Sequence, residues 1–237
     1  MALELLGNSP KCALAIYAHP DDSDVAAGGT LARWALSGCE VHVVICALGD
    51  KGSSNPDQDV DKLIDQRCRE LAAAQSILGI AKVHHLAHRD GELENNLALR
   101  EELVSIMREV RPEVLMCPDP SAVFFGEHYF NHHDHRVVGY AALDAASPAA
   151  ASPLYFPNRG PSVSIETAYM SGTLEPNVYV DIAATIGAKA EAILCHQSQL
   201  GETSEWFRSV VHERAEQAGQ LAGVSFAEAF RRIGLGH

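Results

Sequence analysis

The chain has 237 residues, enough for one well-buried core, so a single α/β domain over residues 1–237 is the expected organisation. Acidic residues outnumber basic ones 31 to 18, which excludes a phosphate-backbone binder, since that needs clustered Lys and Arg. No apolar run approaches the length of a membrane span, and residues 1–11 lack a basic stretch followed by an apolar one. Six cysteines stand far apart with no CxxC pair, which points to reduced thiols rather than a disulfide framework. The expectation is a cytoplasmic protein with no nucleic-acid partner and no membrane span.

In chain order, the apolar run Cys12 to Tyr17 reads as a first strand that stops on Ala18-His19-Pro20-Asp21-Asp22. A helix over Val25 to Ser37 follows, with Ser23 or Asp24 as cap and Gly38 as stop. Val41 to Cys46 is β-branched and continuous, as expected of a strand covered on both faces. Leu48 to Pro56 is a loop, Val60 to Leu78 a helix, Lys82 to Leu86 a third strand, and His88 to Asn95 a polar loop. A helix over Leu97 to Val110 precedes a fourth strand at Glu113 to Cys117. This alternation predicts parallel βαβ units with helices on both faces of the sheet. Gly28-Gly29 lies inside a helix and suits close packing; no GxGxxG follows the first strand, which disfavours a dinucleotide.

Ser121 to Asn131 is a long loop carrying Phe124, Phe125, Tyr129 and Phe130, expected either to form an apolar wall or lid beside the site or to pack under the loop itself. It enters His132-His133-Asp134-His135-Arg136 and a helical stretch through Ala145. Ala149 to Pro161 is irregular, and Val163 to Met170 and Asn177 to Ile182 read as extra strands. Helices are expected over Ala183 to His196 and Glu205 to Ala218, with a short last one around Phe226 to Ile233.

The twelve histidines cluster. His19, Asp21 and Asp22 sit at one strand end; His132, His133, Asp134 and His135 open a helix that reaches the same carboxyl edge of the sheet. Imidazole and carboxylate together suit zinc better than magnesium or calcium, and hydrolytic zinc sites use three protein ligands plus a water. The bland alternatives are Asp21 and Asp22 as helix caps, and His84, His85 and His88 as the end of a strand rather than a second metal site.

AHPDD after the first strand with HHDHR more than a hundred residues on resembles the LmbE-like, or PIG-L, deacetylases. The likeness extends to Leu48 to Gly52, Arg67 with Glu70, Asp90-Gly91 and Cys195 to Gln199. It implies a Rossmann-like, mostly parallel sheet with extra C-terminal strands and helices. It also implies a hydrolase that removes the N-acetyl group from an N-acetylglucosamine-type sugar or conjugate, a small-molecule substrate, and assembly as a homo-oligomer. Carried onto this chain, it makes His19, Asp22 and His135 the ligands of one zinc ion and Asp21 the general base. It makes His132 the oxyanion partner, with Asp134 orienting an imidazole. Asp21 and His132 both remain candidates to protonate the leaving amine. Asp50, Arg67 and Asp90 are implied sugar contacts; the plain alternative for Arg67 is an ion pair with Glu70 on the helix surface. His133 is expected at the surface or behind the ligands, and His196 near the site or in the core. Two other readings stay open: an amidase of the same chemistry acting on a larger acyl or thiol conjugate, and a non-catalytic carbohydrate- or metal-binding protein. Asp21 argues against the last, because a pure binder has no use for a base beside a metal-held water.

Overall fold

The alternation of apolar runs and amphipathic segments becomes a sheet wrapped by helices. The computed structural model describes residues 4–235, so the reading of residues 1–11 as carrying no export signal lies partly outside it. In order, the elements are β1 (Glu4–Leu5), β2 (Cys12–Tyr17), α1 (Asp22–Leu36), β3 (Glu40–Ala47), α2 (Val60–Leu78), β4 (Lys82–His88), α3 (Leu97–Val110) and β5 (Val114–Pro118). A small hairpin, β6 (Phe124–Phe125) with β7 (Tyr129–Phe130), interrupts the long loop before α4 (His133–Asp144). The irregular stretch leads to β8 (Thr167–Ser171) and β9 (Val178–Asp181), then α5 (Ile186–Leu194), α6 (Gln197–Leu200), α7 (Ser204–Ala222) and β10 (Ala227–Gly234).

Eight strands form one sheet in the order β1-β9-β10-β8-β5-β2-β3-β4. All neighbours are parallel except β10, which runs antiparallel to both β8 and β9. The side-chain period of two divides the core. Leu14, Ile16, Val44 and Leu115 face α3 and α4, while Ala13, Ala15, Tyr17, Val43 and Met116 face α1, α5 and α7.

One expected element is corrected. The segment Phe226 to Ile233 is not a helix: from Ala227 onward it forms strand β10. Its Ala, Glu and Arg residues favour a helix locally, yet propensity is a weak prior against the pairing available between β8 and β9. Phe230 is fully buried there, and Glu228 is carried inward to meet Lys189 and the backbone N–H groups of Gly29 and Thr30.

Helix ends follow ordinary capping chemistry. The Asp59 side chain accepts from Lys62 N (3.1 Å), and Gly79 ends α2 in the left-handed region at φ 74°. Asn96 accepts from Leu99 N (3.0 Å) at the start of α3. Gly29 behaves as expected of a packing glycine, since a Cβ there would stand 2.8 Å from Ile182. Cys12, Cys39, Cys46, Cys68, Cys117 and Cys195 all carry free thiols. Among the described residues no helix is long and apolar enough to cross a membrane.

Candidate metal centre

The parallel strands β2, β3, β4 and β5 all end on one edge, and the segments that leave them carry the polar residues singled out in the sequence. β2 delivers His19 and then α1, whose N-cap is Asp21 and first residue Asp22. The β3 loop brings Asp50, the β4 loop Asp90 and Gly91, and the segment after β5 brings Asn131 to His135. α4 lies close against the end of β5, where a Cβ on Gly139 would stand 2.5 Å from the Pro118 carbonyl oxygen. That approach sets the His132 to His135 turn against the His19 turn.

Donor atoms of three residues converge. His19 Nδ1 lies 3.3 Å from His135 Nε2 and 3.3 Å from Asp22 Oδ2, and His135 Nε2 lies 3.1 Å from Asp22 Oδ1. A tetrahedral zinc with bonds of about 2.0–2.1 Å separates its ligand atoms by roughly 3.3 Å. Two imidazole nitrogens facing one another at such a distance repel unless a proton or a cation lies between them. The residues present therefore fit a zinc-class ion, in donor type and in spacing.

The opposite ring nitrogens are tied down. His19 Nε2 faces Asp90 Oδ1 at 3.0 Å and Asp134 Oδ2 at 3.5 Å. His135 Nδ1 donates to Asn131 Oδ1 at 3.2 Å, and buried Asn131 is itself anchored by donating from Nδ2 to the Ala122 carbonyl. Each ring thus carries its proton away from the convergence point and turns a lone pair toward it, the arrangement that outer partners impose on metal-binding histidines. Asp134 is fully buried and accepts from Gly91 N at 2.6 Å, while its Oδ1 has no hydrogen-bond partner.

His132 is the N-cap of α4. Its Nδ1 accepts from Asp134 N at 3.2 Å, so in the neutral ring the proton sits on Nε2. The ring packs edge-on to His19 at 4.9 Å between centroids, at the mouth of the same cluster. Asp21 is the most exposed of these carboxylates, its side chain 27 % accessible, and its Oδ1 accepts from Arg67 Nη2 at 3.0 Å. Arg67 is buried and also donates to the Gly49 carbonyl at 3.0 Å. Glu70 turns elsewhere, accepting from Ser198 N and Oγ, so the surface ion pair with Arg67 is replaced by an inward bond to Asp21.

The electrostatics suit a cation. Burial opposes a charge on His19, but Asp22, Asp134 and Asp90 outweigh it and push its pKa up to about 12. Burial likewise opposes the charge of Asp22, and His135 and His19 overcome it, holding that carboxyl well below the usual range. His132 is shifted down by burial and by the neighbouring His19 and His135.

Not every expected residue faces the cluster. Asp50 accepts from Asp90 N (2.8 Å) and Arg89 Nε (3.2 Å), so its hydrogen bonds hold the β4 loop. His133 donates its Nε2–H to the Leu93 carbonyl at 3.0 Å, away from the convergence point. His196 is buried, bonded to Asp24 at 2.7 Å, and lines a cavity of about 300 Å³ with Asp21, Val25, Ile193 and Leu200. Phe124, Tyr129 and Phe130 are exposed on the hairpin rather than packed beneath a loop. Asn131 was missed by motif reading. Its one sequence signal is its place four residues before His135, one helical turn upstream.

Comparison with known proteins gives this arrangement a lineage. The family profile described as PIG-L: GlcNAc-PI de-N-acetylase matches residues 14–146. A diacetylchitobiose deacetylase of Thermococcus kodakarensis is 30 % identical over 233 residues, covering 95 % of this chain and 84 % of the relative. The solved N,N'-diacetylchitobiose deacetylase of Pyrococcus horikoshii superposes with a TM-score of 0.86 at 28 % identity, covering 94 % of this chain and 84 % of that one. A 4-carboxy-2-hydroxymuconate hydratase from Pseudomonas putida shares the fold at a TM-score of 0.79 and 24 % identity, covering 94 % and 96 % of the two chains. The matched profile spans both His/Asp motifs and more than half of the chain, which therefore belongs to the PIG-L, or LmbE-like, family of N-deacetylases.

Proposed function

We propose that this chain is a zinc-dependent N-deacetylase of N-acetylglucosamine-type sugars or conjugates, with His19, Asp22 and His135 as the metal ligands. The observation that carries the reading is the convergence of those three residues, the facing His19 and His135 nitrogens standing 3.3 Å apart and each lying 3.1 to 3.3 Å from one of the two Asp22 oxygens, with the two far ring nitrogens occupied by Asp90 and Asn131. Family membership supports the reaction class, and the chitobiose deacetylase relatives support an amino-sugar substrate. Zinc bound there supplies an acidified water and a Lewis acid for the amide carbonyl.

The side chains then divide the work. Asp21 stands one residue before a ligand and is open to solvent, so it accepts the proton released as water attacks the amide carbon. Arg67 is a positioning residue that holds the Asp21 carboxylate in one orientation. His132 presents Nε2–H to the oxygen on which charge develops, because its Nδ1 is committed to Asp134 N. When the C–N bond breaks, the departing nitrogen takes the proton from Asp21, leaving acetate and a free amine. A neutral His132 has no spare proton to give, so Asp21 is the preferred donor. Asp90 and Asp134 orient His19, and Asp50 holds Asp90. Contact of Asp50, Arg67 and Asp90 with sugar hydroxyls remains part of this reading, with Asp50 the weakest of the three because both its oxygens are bonded within the protein.

A hydratase with this fold shows that architecture alone does not choose the reaction, so the test is a substrate panel. N-acetylglucosamine, diacetylchitobiose and an N-acetylglucosamine conjugate are incubated with the enzyme beside N-acetylated amino acids, and released primary amine is measured. Amine from the sugars alone supports the reading. Amine from the amino acids alone, or from nothing, overturns it.

A further inference from the structure

A second group of metal-type donors sits at the opposite, amino-terminal edge of the sheet. Cys12 and Glu40 are direct register partners at the starts of β2 and β3, and His42 follows Glu40 by two residues on the same face. The ligand atoms of Cys12, Glu40 and His42 all lie within 4.8 Å of one another. His42 Nε2 is 3.0 Å from Glu40 Oε1, and its side chain is only 10 % exposed. The Glu40 side chain is 65 % exposed, so the group opens to solvent on that side.

The support around His42 resembles that around the histidines of the first cluster. Its Nδ1 faces His84 Nε2 on β4 at 3.2 Å, with the two rings stacked at 5.5 Å between centroids. His42 Nε2–H donates to Glu40 Oε1 and Nδ1 accepts from His84 Nε2–H; an ion taking the place of the Nε2 proton would leave Nδ1–H to donate to His84, the outer support that metal-bound imidazoles receive. The Cys12 thiol points at the Val110 carbonyl (3.7 Å), the last residue of α3, so the group also faces the negative end of a helix. Sulfur, imidazole and carboxylate together form a donor set for a zinc-class ion rather than for magnesium or calcium.

We infer that Cys12, Glu40 and His42 hold a divalent transition ion of the zinc class, with His84 as the positioning residue for His42, at a site separate from the carboxyl-edge cluster. A three-donor set leaves a position for water, and the ion links β2 to β3 at an edge where no catalytic residue lies. The histidines of β4 alone gave no metal spacing in the sequence; the site forms only when β3 is laid between β2 and β4.

The test uses the full chain with the first cluster disabled by His19→Ala and His135→Ala. Zinc chloride is added to the metal-stripped protein in equilibrium dialysis, with metal content measured on both sides. One equivalent bound with a dissociation constant below about 10 μM is expected, and none after further His42→Ala. Cobalt is the second probe: it should give a near-ultraviolet thiolate-to-metal charge-transfer band, lost in Cys12→Ser, a substitution small enough to keep the fold. Hydrolysis by otherwise wild-type protein carrying Cys12→Ser should be unchanged. Failure of the disabled chain to bind zinc, binding that survives His42→Ala, or cobalt bound without the thiolate band would each overturn the inference. None of these outcomes depends on which substrate the enzyme hydrolyses.

Discussion

Asn131 accepts the Nδ1–H of His135 at 3.2 Å, and this one bond decides which imidazole nitrogen faces Asp22. A buried amide on the short segment between the β6–β7 hairpin and α4 therefore orients the imidazole of His135, the proposed ligand four residues on. Replacing it by Ala should lower zinc affinity by about 10- to 100-fold while leaving the three ligands in place. Competition against a colorimetric chelator measures this. Unchanged affinity would show that the α4 turn alone orients His135.

Asp21→Asn should retain metal and lose about 10²- to 10⁴-fold in kcat, because the amide cannot take the proton of the attacking water. The binding of the deacetylated amine product should change little. Full turnover in Asp21→Asn would move the base elsewhere.

Gly49 links the β3 loop to Arg67. Its φ is +69°, and a Cβ there would collide with Arg67 Nη1. Gly49→Ala is expected to displace the guanidinium from Asp21, lowering kcat with zinc content unchanged. If instead zinc is lost and kcat per bound zinc is preserved, Arg67 does not act through Asp21.

Away from the site, Arg108 on α3 is buried and donates to the carbonyls of Ala149, Ala150, Ser152, Tyr155, Phe156 and Gly160. Past the π-helical stretch Ala145–Ala150, residues 151–161 have no sheet or helix ladder of their own, so this one side chain organises much of their backbone. Arg108→Met should cost about 3–5 kcal/mol in chemical denaturation, since carbonyls that lose their donor in a buried setting carry the full desolvation penalty. A change below about 1 kcal/mol would mean that water or the backbone replaces the guanidinium.

The parallel half of the fold was legible because its strands are buried on both faces and read as continuous apolar runs. The bounds of α2 and α3 coincide with the sequence reading, where Asn96 and Gly79 mark a start and a stop. The last strand was not legible. Phe226 to Ile233 is written in helix-forming residues, and only the vacancy between two distant strands makes part of it β10. The metal-type residues were visible as two motifs, but their support was not. Asn131, Arg67 bonded to Asp21, and Asp90 bonded to His19 are set by loops from separate strands, contacts that no local spacing encodes.

On the proposed mechanism, His19, Asp22 and His135 hold the zinc on which amide hydrolysis depends. This is tested most directly by Asp22→Asn and His135→Ala, each assayed for bound zinc and for amine released from an N-acetylglucosamine substrate. The wild-type chain should lose hydrolysis to a chelator and regain it on adding zinc. Each variant should show weakened zinc retention at the carboxyl-edge cluster and fall to background activity. Hydrolysis that persists in either variant, or in chelated wild-type protein shown to be free of metal, would contradict that mechanism.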